Sequence, residues 1–453
     1  MNKKALFNLA LIALAGSFGG LLVGYDTGII SGAQLFVTND LALSPEKQGL
    51  LVAAAMIGAF IGVFLNGFLA DRIGRKKVLG LLGLIYLVGC CISSNSISAS
   101  MLISARILSG VAIGMATSIV PMYLSELSPQ KVRGLFTSLY QLSLTFGILV
   151  SYLTGYVFSS SADWRSMLLS GIVPAIIVLI AFIFLSESPR WLILKGKDEE
   201  AKKVFEKIEA EEDIQQRIDE VKESTKDKGQ NQKVGFKKWM LAPVLIGVGI
   251  MFAQILTGIN VIICYASKIF QMAGFADESS ATKIAIIIGL VNFLMTFVAM
   301  YLSDKVGRKP LLLSGATIMG ISMFLIAFSF LFGASLGEYQ KWLAVISIIG
   351  FICSFAYSLG PVAWVIVSEI FPLEAKGMLM IFPVSANYLS NIFILLAFPV
   401  MVSKLSEGIT FAIFGVLCVI SLIFIYFMVP ETKGLSLERI EENWKNGVKP
   451  KNF

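Results

Sequence analysis

Two ionisable side chains stand deep inside apolar sequence: Asp26 in the run 6–32 and Arg106 in the run 101–124. A charge at the centre of a membrane-crossing helix costs about 2.5–3.5 kcal/mol on insertion scales, so each needs a partner or a task. One reading is a static ion pair that ties two helices together. The other is proton exchange, in which a proton on Asp26 cancels its charge, releases Arg106 and permits a change of shape. Buried acids in perturbing surroundings tend to be functional, and that favours the second reading. Other chemistry finds little material. The 453 residues include no His, the commonest general base. Cys90, Cys91, Cys264, Cys353 and Cys418 all lie in apolar runs, where they read as small buried side chains without disulfide or metal spacing. No nucleophile-elbow, phosphate-loop or zinc-protease motif occurs. We therefore read no active site, metal site or cofactor site.

A second constellation sits at the ends of apolar runs, and it occurs twice in the same order. Ala70-Asp71-Arg72-Ile73-Gly74-Arg75-Lys76 is matched by Ser303-Asp304-Lys305-Val306-Gly307-Arg308-Lys309. Ser125-Glu126-Leu127-Ser128-Pro129, followed by Arg133-Gly134, is matched by Ser368-Glu369-Ile370-Phe371-Pro372 with Lys376-Gly377 at the same spacing. Ser186-Glu187-Ser188-Pro189-Arg190 corresponds to Pro430-Glu431-Thr432-Lys433-Gly434. A single basic loop would do no more than orient a membrane protein. Ordered pairs instead indicate parallel repeats, which place a substrate site between two halves near the bilayer midplane. Carboxylates and guanidinium groups at helix ends can pair with neighbouring helices and helix termini. The set Asp71, Arg75, Glu126, Arg133, Glu187, Arg190, Asp304, Arg308, Glu369, Lys376 and Glu431 is thus expected to form a gate on one membrane face.

The elements that must position these groups are legible from hydropathy. The hydrophobic fraction is 56 %, the charged fraction 15 % and the mean hydropathy +0.79; a soluble chain would carry about 25 % charge. Apolar runs fall at about 6–32, 48–70, 78–98, 101–124, 135–157, 166–186, 240–271, 284–303, 310–332, 342–368, 377–403 and 408–429. They are too long for barrel strands, so twelve helices are expected. The run after Lys3 and Lys4 contains Ala13-Leu14-Ala15, which could pass for a cleavage site. It is read as an uncleaved first span, because cleavage would destroy a helix continuing to Gly32. Between the sixth and seventh runs, Val204, Ile208, Ile214, Ile218 and Val221 recur at helical spacing among charges. They predict one or two short amphipathic helices at the membrane surface. The expected organisation is an N-terminal half 1–190, an amphipathic linker 191–239, a C-terminal half 240–434 and a tail 435–453. Basic residues concentrate in the linker and the motif loops, which puts both termini in the cytoplasm. The same concentration accounts for the net charge of +7 and excludes nucleic acid as a partner.

On these motifs the chain resembles the sugar porter branch of the major facilitator superfamily over nearly its whole length. The residues that carry the resemblance are Gly24-Tyr25-Asp26-Thr27-Gly28-Ile29-Ile30-Ser31-Gly32-Ala33, Gly67-Phe68-Leu69-Ala70-Asp71-Arg72-Ile73-Gly74-Arg75-Lys76, Pro121-Met122-Tyr123-Leu124-Ser125-Glu126, Gln254-Ile255-Leu256-Thr257-Gly258-Ile259-Asn260 and Pro430-Glu431-Thr432-Lys433-Gly434. The resemblance implies an all-α membrane protein with twelve transmembrane helices in two pseudo-symmetric six-helix halves, plus short cytoplasmic helices. It also implies a monomer in a lipid bilayer that moves a monosaccharide by alternating access, and the compact loops, with no long extracellular one, point to a bacterial inner membrane. The sugar positions it implies are Gln141, Gln254, Asn260, Asn292, Trp364 and Asn387. Their chemistry agrees: Gln and Asn offer donors and acceptors to hydroxyls, and an indole can lie against a pyranose face. Polar glue between helices is the plainer role for such residues. Thr257-Gly258 and Gly360-Pro361 mark expected helix breaks. Proton symporters of this family carry Asp at the position of Asp26, whereas uncoupled facilitators usually carry Asn, so symport is favoured over a sugar facilitator. A non-sugar metabolite transporter and a transport-inactive sugar receptor are weaker alternatives. The chain departs from the family at Ile255, Cys264, Val23 and Ser186, where Gln, Tyr, an aromatic and Pro are usual.

Overall fold

The computed structural model describes residues 3–128, 133–208, 214–215, 218, 236–275, 277–372, 375–450 and 453. In a bilayer core each backbone N–H and C=O must bond within its own segment, so long apolar runs fold as helices. Among the described residues twelve helices have the length and composition to cross a membrane. Spans 1–6 are Ala13–Asp40, Pro45–Ile73, Arg75–Ser94, Ala99–Leu127, Ser138–Ser159 and Trp164–Phe184. Spans 7–12 are Lys238–Cys264, Ser279–Leu302, Arg308–Leu331, Tyr339–Ile370, Lys376–Leu405 and Glu407–Met428.

Contacts divide the chain into two compact units, and the division runs through spans 1, 2, 5 and 6. The first unit comprises Met1–Asp26, Ala54–Ile148 and Leu168–Lys233. The second comprises Thr27–Ala53, Leu149–Met167 and Val234–Phe453. In the first unit, small residues bring spans 2 and 4 into backbone contact. A Cβ at Gly62 would stand 2.1 Å from the Val111 carbonyl oxygen, and one at Gly114 would stand 1.9 Å from that of Ala59. Such approach replaces the hydrophobic drive that lipid does not supply between helices.

Breaks interrupt spans 7 and 10 of the second unit. Span 7 stops at Gly258, whose φ of +96° is a conformation that side chains resist, and resumes at Ile259. It is interrupted again at Tyr265 before a last segment, Ala266–Met272. Span 10 breaks at Ser358 (φ −119°, ψ −100°), and its second part is Leu359–Ile370. Pro361 lies in the first turn of that part, where a missing N–H costs little.

Beyond the spans, the linker contributes helices Pro189–Leu194 and Asp198–Ile208, with Leu192, Val204 and Phe205 buried. Ile214 and Ile218 are helical and buried, while Val221 lies outside the described residues. The tail forms Leu437–Lys445, capped by the Ser436 hydroxyl, with Ile440 and Trp444 buried.

The doubled Asp-(Arg/Lys)-x-Gly-Arg pattern gains a structural meaning at the start of spans 3 and 9. Gly74 and Gly307 are the N-caps, with φ of +97° and +104°. Neither has a side chain to cap the helix, and a carboxylate from a distant loop does so. A Cβ at Gly74 would meet Glu187 Oε2 at 2.2 Å, whereas a Cβ at Gly67 would meet nothing within 4 Å. Gly74→Ala is therefore expected to cost about 2 kcal/mol or more of stability, and Gly67→Ala to be near neutral. Thermal unfolding of the purified protein in detergent compares the two.

Candidate functional site

In the first unit, Asp26 and Arg106 meet. Arg106 Nη1 donates to Asp26 Oδ1 at 2.5 Å, with both side chains 3 % exposed. The Tyr86 hydroxyl of span 3 donates to the same oxygen at 3.2 Å. Asp26 Oδ2 and Arg106 Nε are buried without a hydrogen-bond partner. The pair is thus single-pronged, where a carboxylate and a guanidinium could have formed two parallel bonds. Tyr25, beside Asp26, pairs its hydroxyl with Ser170 Oγ of span 6 at 2.6 Å. Gln141, also in this unit, lies half-buried on span 5, and its carbonyl accepts from the Thr145 hydroxyl.

In the second unit, Gln254 and Asn387 form a network at the break of span 10. Gln254 Nε2 donates to the carbonyls of Leu359 (2.8 Å) and Gly360 (3.0 Å). Its Oε1 accepts from Asn387 Nδ2 at 2.8 Å, and the same amide nitrogen reaches Met251 Sδ at 3.5 Å. Both amide donors of each residue are thereby engaged, and Asn387 Oδ1 remains as an acceptor. Trp364 lies six residues after the span 10 break at Ser358 and is 40 % exposed. Asn260 is half-buried in the first turn after Gly258, and Asn292 is buried on span 8. Among the described residues, the side chains of Asn260, Asn292 and Trp364 make no hydrogen bond to the Gln254–Asn387 pair.

The second interruption of span 7 is held by groups that sequence reasoning did not single out. The Ser267 N–H, which would bond Ile263 O in a continuous helix, donates instead to Ser31 Oγ at 3.0 Å. The freed Ile263 carbonyl accepts from the Tyr152 hydroxyl at 2.8 Å. Gln34 Nε2 donates to the Cys264 carbonyl at 2.7 Å, and Lys268 Nζ to Gln48 Oε1 at 2.5 Å. These ties come from spans 1, 2 and 5 at the ends opposite the charged motifs. The available signal was polar residues at the borders of apolar runs. Tyr86 gave less, since one Tyr in an apolar run is ordinary.

At the motif-bearing end each unit repeats one arrangement. In the first, Arg75 grips Glu126 with two bonds (Nε–Oε2 3.0 Å, Nη2–Oε1 3.1 Å) and reaches Asp71 Oδ1 at 3.1 Å. Glu187 Oε1 accepts the N–H groups of Arg75 and Lys76 at 2.8 and 3.0 Å, capping span 3. Ser188 Oγ ties the cluster to Glu126 Oε2. In the second unit, Arg308 Nη2 bonds Glu369 Oε1 at 3.0 Å. Glu431 accepts the N–H groups of Arg308 (3.1 Å) and Lys309 (3.0 Å), and Thr432 plays the part of Ser188. Lys376 is half-buried with Glu369 as its charged neighbour. Arg190 is half-buried and joins no ion pair among the described residues. The side chains of Arg133 and Asp304 lie outside those described.

Twelve packed spans, mirrored motif clusters and polar groups at helix breaks define a multi-pass membrane protein of the major facilitator fold, with two six-helix halves. Its residues 12–444 match the family model "Sugar (and other) transporter", and the chain belongs to this sugar porter family. It is 39 % identical over 97 % of its length, and 95 % of the relative's, to the "Probable metabolite transport protein CsbC" of Bacillus subtilis. It is 34 % identical over 99 % of its length to the "Galactose-proton symporter" of Escherichia coli, covering 96 % of that protein. Among solved structures, the inward open conformation of the xylose transporter XylE from E. coli superposes with a TM-score of 0.85. That match has 31 % identity and covers 96 % of this chain and 100 % of the other. The chain's relatives are thus sugar transporters, a class that is not enzymatic.

The two motif clusters differ in exposure: the Arg75–Glu126 side chains are 6 % and 8 % exposed, those of Arg308–Glu369 20 % and 22 %. Removing one member of a buried pair strands the other charge, at a cost of about 3–5 kcal/mol, and water screens a more exposed one. Arg75→Ala is therefore expected to lower the unfolding temperature clearly more than Arg308→Ala, as thermal melts of the two variants would show.

Proposed function

We propose that this chain is a proton-coupled monosaccharide symporter working by alternating access, with Asp26 as the proton site and Arg106 as its counter-charge. The observation that carries the reading is the uneven use of the Asp26 carboxylate. Oδ1 takes both donors, and Oδ2 is buried with none. A bare carboxylate oxygen in low dielectric is costly, and a proton there removes the cost. Protonation also removes the attraction that holds Arg106, so span 4 can part from span 1. The naming of a similar protein as a galactose-proton symporter supports the coupling.

For the sugar, Asn387 Oδ1, Asn260, Asn292 and Trp364 supply acceptors, donors and an aromatic face, while Gln254 fixes Asn387 and the span 10 break. Gln141 of span 5 is the remaining sugar position on this reading. The ties of span 7 to Ser31, Gln34 and Tyr152 hold the end opposite the motifs, and they must break for sugar to enter from that side. On this reading the charged residues of the motifs, Asp71, Arg75, Glu126, Arg133, Glu187, Arg190, Asp304, Arg308, Glu369, Lys376 and Glu431, make up the gate of the cytoplasmic face. Both termini then lie in the cytoplasm of a bacterial cell, and the protein acts as a monomer made of halves 1–190 and 240–434. The segments 191–239 and 435–453 serve as cytoplasmic linker and tail.

Reconstituted liposomes test the coupling with a panel of hexoses and pentoses, with and without a pH gradient. Asp26→Asn imitates the protonated acid. It should abolish gradient-driven accumulation and retain sugar exchange; unchanged accumulation would refute the proton role. Asn387→Ala should raise the half-saturating concentration of the preferred sugar about tenfold or more, since a hydroxyl loses its partner in a buried site.

A further inference from the structure

The carboxylate of Asp26 has a neighbour that an ion pair does not require. Tyr86 is 1 % exposed in span 3, and its hydroxyl donates to Asp26 Oδ1, the oxygen already bonded by Arg106. Room for the phenol exists because residue 171 of span 6 is glycine. A Cβ there would stand 3.2 Å from the Tyr86 oxygen and 2.7 Å from Cys90 Sγ, one turn along span 3. The titratable and charged groups around the carboxylate, among the described residues, are Arg106 from span 4, Tyr86 and the Cys90 thiol from span 3, and Tyr25 on its own helix. Span 6 contributes only the Ser170 hydroxyl, which is bonded to Tyr25.

Arg106 and Tyr86 behave differently when a proton arrives. The guanidinium loses its electrostatic hold once the carboxylate is neutral. The neutral phenol keeps a hydrogen bond to the carbonyl-like oxygen of the acid, although a weaker one than to the anion. It thus keeps Oδ1 turned towards spans 3 and 4 in both charge states, and Oδ2 remains the oxygen without a donor. We propose that Tyr86 is the positioning residue of the proton site: its hydroxyl anchors Oδ1, directs the incoming proton to Oδ2 and sets the pH at which uptake switches off. The inference rests on Asp26 being the proton site. The step itself is a plain transfer, in which water on one side gives a proton to Oδ2, an O–H bond forms, and the same proton leaves to water on the other side.

The test is the pH profile of gradient-driven sugar uptake in liposomes, with sugar counterflow at equal pH as the measure of a folded, sugar-binding protein. Tyr86→Phe keeps the ring and removes the donor. The half-maximal point of uptake should move towards alkaline pH by about one unit, a tenfold drop in proton concentration, with counterflow preserved. Replacing Tyr86 with a ring-fluorinated tyrosine strengthens the donor without changing its shape, so the profile should move towards acid pH. This second variant decides the matter if Tyr86→Phe lacks counterflow. A role limited to packing predicts no movement in either variant, and that result would overturn the inference. Asp26→Asn separates the two levels. If it keeps gradient-driven uptake, the Asp26 reading falls and this one with it. If it loses uptake while both Tyr86 variants keep the wild-type profile, the role of Tyr86 alone falls.

Discussion

A backbone N–H or C=O without a partner inside lipid costs several kcal/mol, and much of this molecule is arranged around that constraint. Continuous helix meets it without side chains, which is why composition alone predicts the spans. At several places where the chain leaves continuous helix, a specific side chain takes over. Glu187 and Glu431 cap the first turns of spans 3 and 9, where Gly74 and Gly307 offer no side chain of their own. Ser31 and Tyr152 replace the helical bond lost between Ser267 and Ile263. Gln254 covers the carbonyls at the break of span 10. Each substitute bond lies at an end of a span or at a break within one. On the alternating-access reading proposed above, such joints are where rigid helices would move against one another.

The Asp26–Arg106 pair obeys a different balance. Burial of two charges is recovered only when their remaining hydrogen-bonding capacity is met. Here it is not met, because Oδ2 and Nε are both left bare. A bidentate pair with every lone pair satisfied would be a poor switch, since protonation would have to break good bonds. The single-pronged pair has less to lose on protonation, and a proton offsets the cost of its bare oxygen.

The sequence made some parts of this legible and hid others for physical reasons. Spans were readable because lipid imposes one composition on them. The motif clusters were readable because their spacing repeats, and a repeat needs no knowledge of geometry. Asp26 and Arg106 stood out because charges are rare in apolar runs, and the two side chains do meet. The ties of Ser31, Gln34 and Lys268 depend on which turn of span 7 is interrupted, and nothing local in Ile263-Cys264-Tyr265 announces that break. Gly258, by contrast, was visible, because glycine is the residue that tolerates its φ. Tyr86 was hidden for a simpler reason: its hydroxyl matters through a partner sixty residues away in the chain.

The mirrored motifs carry a further consequence for how symmetry should be read. Both units place an Arg at a helix start, a Glu on its guanidinium and a second Glu on its backbone. Chemical equivalence would suggest equal strength. Yet the Arg75–Glu126 pair is shielded from water to a greater degree than Arg308–Glu369. In lower dielectric the same charges attract more strongly and are more costly to strand. The repeat therefore fixes which groups meet, and burial fixes how firmly they hold. If the clusters release during a transport cycle, the more hydrated cluster has the smaller barrier, because water can solvate its charges as they separate. Duplicated sequence can in this way yield an ordered, asymmetric opening without any difference in motif chemistry.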